Sequence, residues 1–495
     1  MANLQLVDVS IRDGNQSLWG AMGFRTPHIL AIAPVMDRVG FRALDFTSST
    51  HMGVAVRTHK ENPWERSRLA HAAMPRTMLQ FIGTGLRFIS WELQHPEFLQ
   101  LVYDKLVANG VERFVVLDPM HEPDAILASA RMLKKAGARE VIAALTYTIS
   151  DIHTDGFYAK LASLIASSPQ IDRAYIKDPS GLLTPERARM LIPAVRGQLG
   201  GKPLELHSHC TIGLSSHSYM AALELGIEAL HVACGALANG SSLPNAERIV
   251  ANLRELGHTV DVDDRSLSLV SEYFFRLARA EDLPEGTPQE YDASFLRHQV
   301  AGGVMTTTRR QLAELGLEHR FTDVMREVVQ VRAELGFPIM VTPFPQIVCT
   351  QALYNIIGRE RYANVSDQVI RYVLGKFGRP TVPVDANVKD QILSRPRAHE
   401  LAVEPPPLPP SELRKRFDSR ISDEEFLLRA TMPAEEVDAM LAAGAAQLDY
   451  NPDSQPLLKL LRELQKRPPA GEITFEKPDF RLTLRSSSRR ERAHA

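Results

Sequence analysis

Leu204-Glu205-Leu206-His207-Ser208-His209-Cys210 reads as a short buried strand that ends in two histidines. Residues two apart on a strand share a face, so His207 and His209 project into one space. Two imidazoles meeting at a strand end make a start for a metal site. Two ordinary polar residues at a strand terminus would give the same pattern. Asp13 and Lys177 enlarge the set. A carboxylate and two imidazoles suit a divalent ion such as Zn, Mn or Co. Lysine is the odd member, because an ammonium has three donors and no acceptor and cannot bind a metal. It can form an ion pair with Asp13 or Asp178. Alternatively it can lose its charge and react with CO2, giving a carbamate with an anionic oxygen. A metal held by this set would act as a Lewis acid on a substrate carbonyl, so that loss of a proton from the adjacent carbon gives an enolate. Arg12 would sit beside the metal, holding a carboxylate or the developing oxyanion. It could equally close a salt bridge under the site. Gln16, one turn on, adds a hydrogen bond.

The elements that must position these residues are legible as an alternation. Apolar strand-like runs fall at 4–11, 42–47, 76–83, 113–119, 140–148, 173–178, 204–209 and 229–236. Stretches of helical period lie between them, for example 185–199 and 218–227. Eight near-continuous apolar runs separated by helices predict an α/β fold, a (β/α)8 TIM barrel over residues 1–260. In such barrels the site lies at the C-terminal ends of the strands. Asp13, Lys177, His207 and His209, and the segment Ala238-Asn239-Gly240-Ser241-Ser242, all fall there.

After residue 260 the strand signal fades. Residues 265–281, 320–336 and 366–378 read as amphipathic helices within a mostly helical domain spanning 261–403. The glycine pair in Gln299-Val300-Ala301-Gly302-Gly303-Val304 suits a close backbone approach. The Pro-rich segment 404–410 is a stiff linker. A small helical extension follows at 411–465, then a flexible tail at 466–495 with a basic end. The 495 residues, 44% hydrophobic and 23% charged, suit a soluble protein of several domains. A net charge of -2 gives no general attraction for nucleic acid. Three scattered cysteines do not form a disulfide framework. No signal peptide or spanning segment is expected, and a cytoplasmic location is the expectation.

The motifs carry a resemblance. Asp8-Val9-Ser10-Ile11-Arg12-Asp13-Gly14-Asn15-Gln16-Ser17 is similar to the first-strand signature of the biotin-dependent carboxyltransferases that act on pyruvate and oxaloacetate. These include the carboxyltransferase domain of pyruvate carboxylase, the oxaloacetate decarboxylase alpha subunit and the transcarboxylase 5S subunit. The likeness continues in Glu61-Asn62-Pro63-Trp64-Glu65-Arg66, Ile176-Lys177-Asp178-Pro179-Ser180-Gly181, His207-Ser208-His209-Cys210-Thr211 and Val341-Thr342-Pro343. It spans roughly residues 4–465. It implies that Asp13, Lys177, His207 and His209 are metal ligands, with the lysine commonly carbamylated. It implies that Arg12 and Gln16 hold the keto acid and its enolate. Thr342 would relay a proton between substrate and biotin, a task a hydroxyl suits because it donates and accepts. As a residue type alone, Thr342 reads as a turn position before Pro343.

The sequence also departs from the family pattern. Relatives have an Arg-Gly-x-Asn segment after the third strand, whose arginine binds the keto acid, and then a tyrosine near biotin. Here the segment is Phe81-Ile82-Gly83-Thr84-Gly85-Leu86-Arg87-Phe88-Ile89, and Arg87 is the substitute available. The usual Gly-Gly after the second strand is Ser48-Ser49. These changes point to an atypical acceptor or a changed biotin site.

No Met-Lys-Met biotinylation motif is present, so biotin is expected in trans on a biotin carboxyl carrier protein, charged by a biotin carboxylase subunit. A homodimer or higher oligomer is expected by the same resemblance. Two alternatives are a biotin-independent metal-dependent lyase or aldolase on the same barrel, and a scaffold that binds carrier subunits without catalysis.

Overall fold

Eight parallel strands close into a ring in the computed structural model, which describes residues 3–90, 92–300, 302–466, 472–477 and 480–485. They are β1 (Asn3–Asp8), β2 (Ala43–Ser48), β3 (Met78–Thr84), β4 (Val111–Leu117), β5 (Glu140–Thr146), β6 (Arg173–Asp178), β7 (Leu204–Ser208) and β8 (Ala229–Val232). β1 closes the ring, with Leu6 opposite Leu230 in β8 and Val7 opposite Ala43 in β2. The eight runs expected from the sequence are the eight strands of a TIM barrel. A two-residue strand, β9 (Thr259–Val260), adds to the start of β1.

The helices between strands follow from local signals. Pro185–Arg196 starts with Thr184, whose side chain accepts a hydrogen bond from the Arg187 N–H, and with proline in its first turn. Its buried residues Ala188, Leu191, Ile192 and Val195 form one stripe facing the barrel.

One boundary differs in a way that matters for the site. The apolar pattern carries the first strand to Ile11, yet β1 ends at Asp8. Residues Ser10–Gly14 wind into a π-type turn, closed by Gly14 N–H donating to the Val9 carbonyl at 3.0 Å. A continued strand would send Arg12 and Asp13 to opposite faces. The turn buries both at the barrel mouth. A side chain on Gly14 would come within 3.1 Å of the Leu237 carbonyl oxygen, so the close approach there calls for glycine.

A second core lies beyond the barrel. Val324, Val328 and Val331 of helix Phe321–Glu334 bury against Phe344, Ile347 and Val348 of helix Phe344–Ile357. Polar anchors dock this domain on the barrel mouth. Arg332 donates to the Ile149 carbonyl at 2.9 Å and to Thr148 Oγ1 at 2.8 Å. Gln299 Nε2 donates to the same carbonyl at 2.7 Å.

The extension after the Pro-rich segment packs on the outside of the barrel. Phe426 meets Phe98 edge-on at 6.0 Å, and Trp64 Nε1 donates to the Glu424 carbonyl. Part of the expected tail is ordered as a hairpin. β10 (Glu472–Lys477) and β11 (Phe480–Arg485) pair antiparallel, with Thr474 opposite Thr483. In sequence, Ile473 and Phe475, and Leu482 and Leu484, alternate with polar residues, a pattern that favours strand pairing. The basic end at 486–495, and Ala301 beside the glycine pair, lie outside the described residues.

Burial gives the fold a pH limit. Desolvation pushes the buried imidazoles of His51 and His121 down to about 3. In the unfolded chain each titrates near about 6.5. Protons then bind the unfolded state first, so stability falls as pH drops from about 6.5 towards 3 and is unaffected above that window. At about pH 5 the two groups together cost about 4 kcal/mol. Urea unfolding near neutral pH and at about pH 5 measures the difference. Equal stabilities at the two pH values would reject it.

Candidate metal centre at the barrel mouth

Lys177 stands one residue before the end of β6, His207 one residue before the end of β7, and His209 just beyond it. Arg12 and Asp13 come from the turn after β1. Closure of the ring brings these ends together. Asp13 Oδ2 lies 3.2 Å from His207 Nε2 and 3.5 Å from His209 Nε2, and the two Nε2 atoms are 3.2 Å apart. Lys177 Nζ lies 2.9 Å from Asp13 Oδ2 and 2.8 Å from His207 Nε2. All four side chains are buried.

The hydrogen positions follow from the partners. His209 Nδ1 lies 2.7 Å from the Ser241 carbonyl oxygen, which only accepts, so Nδ1 carries a hydrogen and the neutral ring leaves Nε2 as an acceptor. His207 Nε2 faces the Lys177 ammonium, which only donates, so it too is an acceptor. Three acceptor atoms, from Asp13, His207 and His209, therefore lie within 4.8 Å of one another. The Lys177 ammonium answers the Asp13 and His207 atoms, and a divalent ion would answer all three. One carboxylate oxygen and two imidazole nitrogens fit a divalent ion.

With Lys177 as an ammonium, its charge answers Asp13, and the two form the ion pair that their residue types allow. Asp178 is engaged elsewhere, accepting from the N–H groups of Leu182 and Leu183 and from Ser208 Oγ. Burial alone would raise the Asp13 carboxyl, but the Arg12 guanidinium and Lys177 hold it well below its usual range. Burial pushes the Lys177 amine below its ordinary value, against the pull of Asp13. Burial likewise drives the His207 imidazole well down, assisted by the neighbouring Lys177 charge. Arg12 closes a salt bridge of its own. Its Nε donates to Asp45 Oδ2 at 2.7 Å and its Nη2 to Asp13 Oδ2 at 2.9 Å.

A cavity of about 70 Å³ opens beside Lys177 and Arg12. Gln16, Arg87 and Thr342 line it as well, with Ser48 at the end of β2 and Ser49 just after it. Thr342 reaches it from the helical domain, just before helix Phe344–Ile357. Arg87 is buried near Asp118 and lies over the Phe377 ring at 5.5 Å from its centroid. Ser48 caps helix Ser49–Val54 by accepting from the His51 N–H, which is what a serine offers at that place.

Residues 295–453 match a family model described as a conserved carboxylase domain. Over 391 residues the chain is 32% identical to a pyruvate carboxylase component of Methanocaldococcus jannaschii, covering 79% of this chain and 68% of that one. The chain belongs to the carboxyltransferase family of biotin-dependent carboxylases. The chain is also 29% identical over 456 residues to the 2-oxoglutarate carboxylase large subunit of Hydrogenobacter thermophilus, covering 90% of this chain and 70% of that one. Its fold is similar to the carboxyl transferase domain of Rhizobium etli pyruvate carboxylase solved with pyruvate. The TM-score is 0.81 at 22% identity, over 98% of this chain and 83% of the other. Among the described residues, no helix is long and apolar enough to cross a membrane.

Sequence reasoning gathered Arg12, Asp13, Gln16, Arg87, Lys177, His207, His209 and Thr342, and all eight lie in or around this one centre. It missed Asp45 and the Ser241 carbonyl. Asp45 had a signal, since a carboxylate inside an apolar strand needs a partner. The carbonyl had none, because every residue offers one.

Proposed function

We propose that this chain is the carboxyltransferase subunit of a multi-subunit biotin-dependent carboxylase. It moves CO2 between carboxybiotin on a separate carrier and the enolate of a small 2-keto acid. The observation that carries the reading is the convergence of three bare acceptor atoms, from Asp13, His207 and His209, beside a cavity that Thr342 lines from a second domain. A divalent ion held there supplies a Lewis acid for the keto oxygen. Asp13, His207 and His209 would hold it. Lys177 joins them once its neutral amine has taken up CO2 and released a proton, leaving an anionic carbamate. Burial of Lys177 favours the neutral amine which that step needs. Arg12, oriented by Asp45, and Gln16 hold the keto acid at the cavity wall. Thr342 passes a proton between the substrate carbon and biotin.

The relatives named for pyruvate and for 2-oxoglutarate differ in acceptor, so kinship leaves the keto acid open. Each is named as one component of a larger enzyme, which supports partner subunits that carry and charge biotin. The test is carboxyl exchange by the full chain, given a carboxylated biotin carrier and a panel of keto acids. Exchange that depends on the carrier supports the reading. Cleavage or decarboxylation of a keto acid at full rate without any biotin would replace it with a lyase.

Arg87 takes the acceptor's carboxylate in this scheme, in place of the arginine that relatives carry earlier in the loop. Its guanidinium is buried, and a charge-assisted pair there is worth about 1.5–3 kcal/mol. Arg87→Met should raise KM for the acceptor about 10–100-fold with little change in kcat. An unaltered KM would take Arg87 out of the substrate site.

A further inference from the structure

His207 turns only one of its nitrogens to the candidate metal centre. The other, Nδ1, lies 3.0 Å from Nδ1 of His231, and His231 Nε2 lies 2.9 Å from Glu205 Oε2. All three residues are buried. Glu205 stands two residues before His207 on the same face of β7, and His231 is on the neighbouring β8. Glu205 is itself held between two guanidinium groups. Arg113 Nη2 is 2.5 Å from Oε2, and Arg173 Nε is 2.6 Å from Oε1. Glu140 joins from the far side of Arg113 at 3.1 Å and also pairs with Arg42.

This arrangement fixes where the hydrogens are. An ionised carboxylate only accepts, so His231 carries a hydrogen on Nε2. Three guanidinium groups already face two carboxylates, and a further positive charge on His231 would have no anion to answer it. The His231 ring is therefore neutral and its Nδ1 is a bare acceptor. His207 must donate from Nδ1, which leaves its Nε2 bare towards Asp13 and His209. Tyr175 holds both rings in register, stacked on His231 at 5.3 Å and edge-on to His207 at 5.9 Å.

We propose that Glu205 and His231 are positioning residues, a buried relay that locks His207 in the Nδ1–H tautomer and thereby sets the affinity of the centre for a divalent ion. The relay rests on the metal reading of Asp13, His207 and His209. The two histidine ligands differ in how they are oriented. His209 is set by the Ser241 backbone carbonyl, which no side-chain substitution removes. His207 depends on side chains alone. Its second support, the Lys177 ammonium, disappears if the lysine becomes a carbamate, so the relay must then hold the ring unaided.

Cobalt(II) binding by the full chain tests this, with affinity read by chelator competition and ligand geometry by the visible absorption of the bound ion. His231→Phe takes away the acceptor for His207 Nδ1–H. It should lower cobalt affinity about 10–100-fold, the range found when the outer partner of a ligating histidine is lost, and alter the spectrum. His231→Gln should retain both, because its Oε1 accepts from His207 while its Nε2 donates to Glu205. This rescue separates an oriented hydrogen bond from mere filling of space. Should His231→Phe fail to fold, His231→Met carries the same comparison. The relay is overturned if the apolar variant binds cobalt with parental affinity and spectrum, or if glutamine loses as much as the apolar residue. A parent chain that binds no cobalt overturns the metal reading, and the relay with it.

Discussion

Thr342→Ala is expected to reduce carboxyl exchange about 10²–10⁴-fold, the span that a positioned proton-transfer group contributes, while the bound metal stays in place. Thr342 lines the same cavity as Lys177 and Arg12 but lies between Met340 and Phe344, which are buried in the second core. It is outside the cluster of Asp13, His207 and His209. Its hydroxyl can donate to one partner and accept from another, so in the proposed role its removal would interrupt proton movement between substrate and biotin. Alanine leaves the backbone and most of the cavity wall as they were. Thr342→Ser keeps the hydroxyl and should retain a substantial part of the activity. Exchange rates and elemental analysis on the same preparations decide the matter. Normal exchange by the alanine variant would end the relay role.

His207→Ala is expected to remove most of the bound metal, with an affinity loss beyond the roughly 100-fold typical of an outer-shell change. His207 Nε2 lies within 3.2 Å of both Asp13 Oδ2 and His209 Nε2, so its loss leaves two bare acceptors where there were three. The deletion also leaves His231 Nδ1 facing an empty space inside the barrel. Metal content by elemental analysis is the measurement. Content equal to that of the parent would mean that this cluster is not the binding site. A folded variant with little metal and no exchange would tie the cation to turnover.

The barrel was legible because parallel strands covered on both faces read as near-continuous apolar runs. That is why residues 173–178 and 204–209 could be placed from the sequence, and with them Lys177 and His207. The same rule misled at the first strand. Val9 and Ile11 continue the apolar pattern, yet the strand ends at Asp8 and the chain winds the turn that carries Arg12 and Asp13. Nothing in residue type separates a buried turn from a buried strand. Asp45 and Glu205 were visible as acids within apolar strands, but their partners, Arg12 in one case and Arg113 and Arg173 in the other, meet them only after the ring closes. The extension shows the same limit. An amphipathic helix announces that it has an apolar face, and Phe426 could not announce Phe98 as the surface that covers it.

The polar anchors of Arg332 and Gln299 on Thr148 and Ile149 have a kinetic consequence. On the proposed reading, cation loading would depend on one scaffold, while the hydroxyl that completes the cavity is carried by another, with a seam of hydrogen bonds between them. Damage to the interior of the second scaffold, at Val328 or Val331 for instance, would therefore surface as slow turnover by an enzyme with a full complement of metal. In this molecule a distant packing fault can pass for a catalytic one.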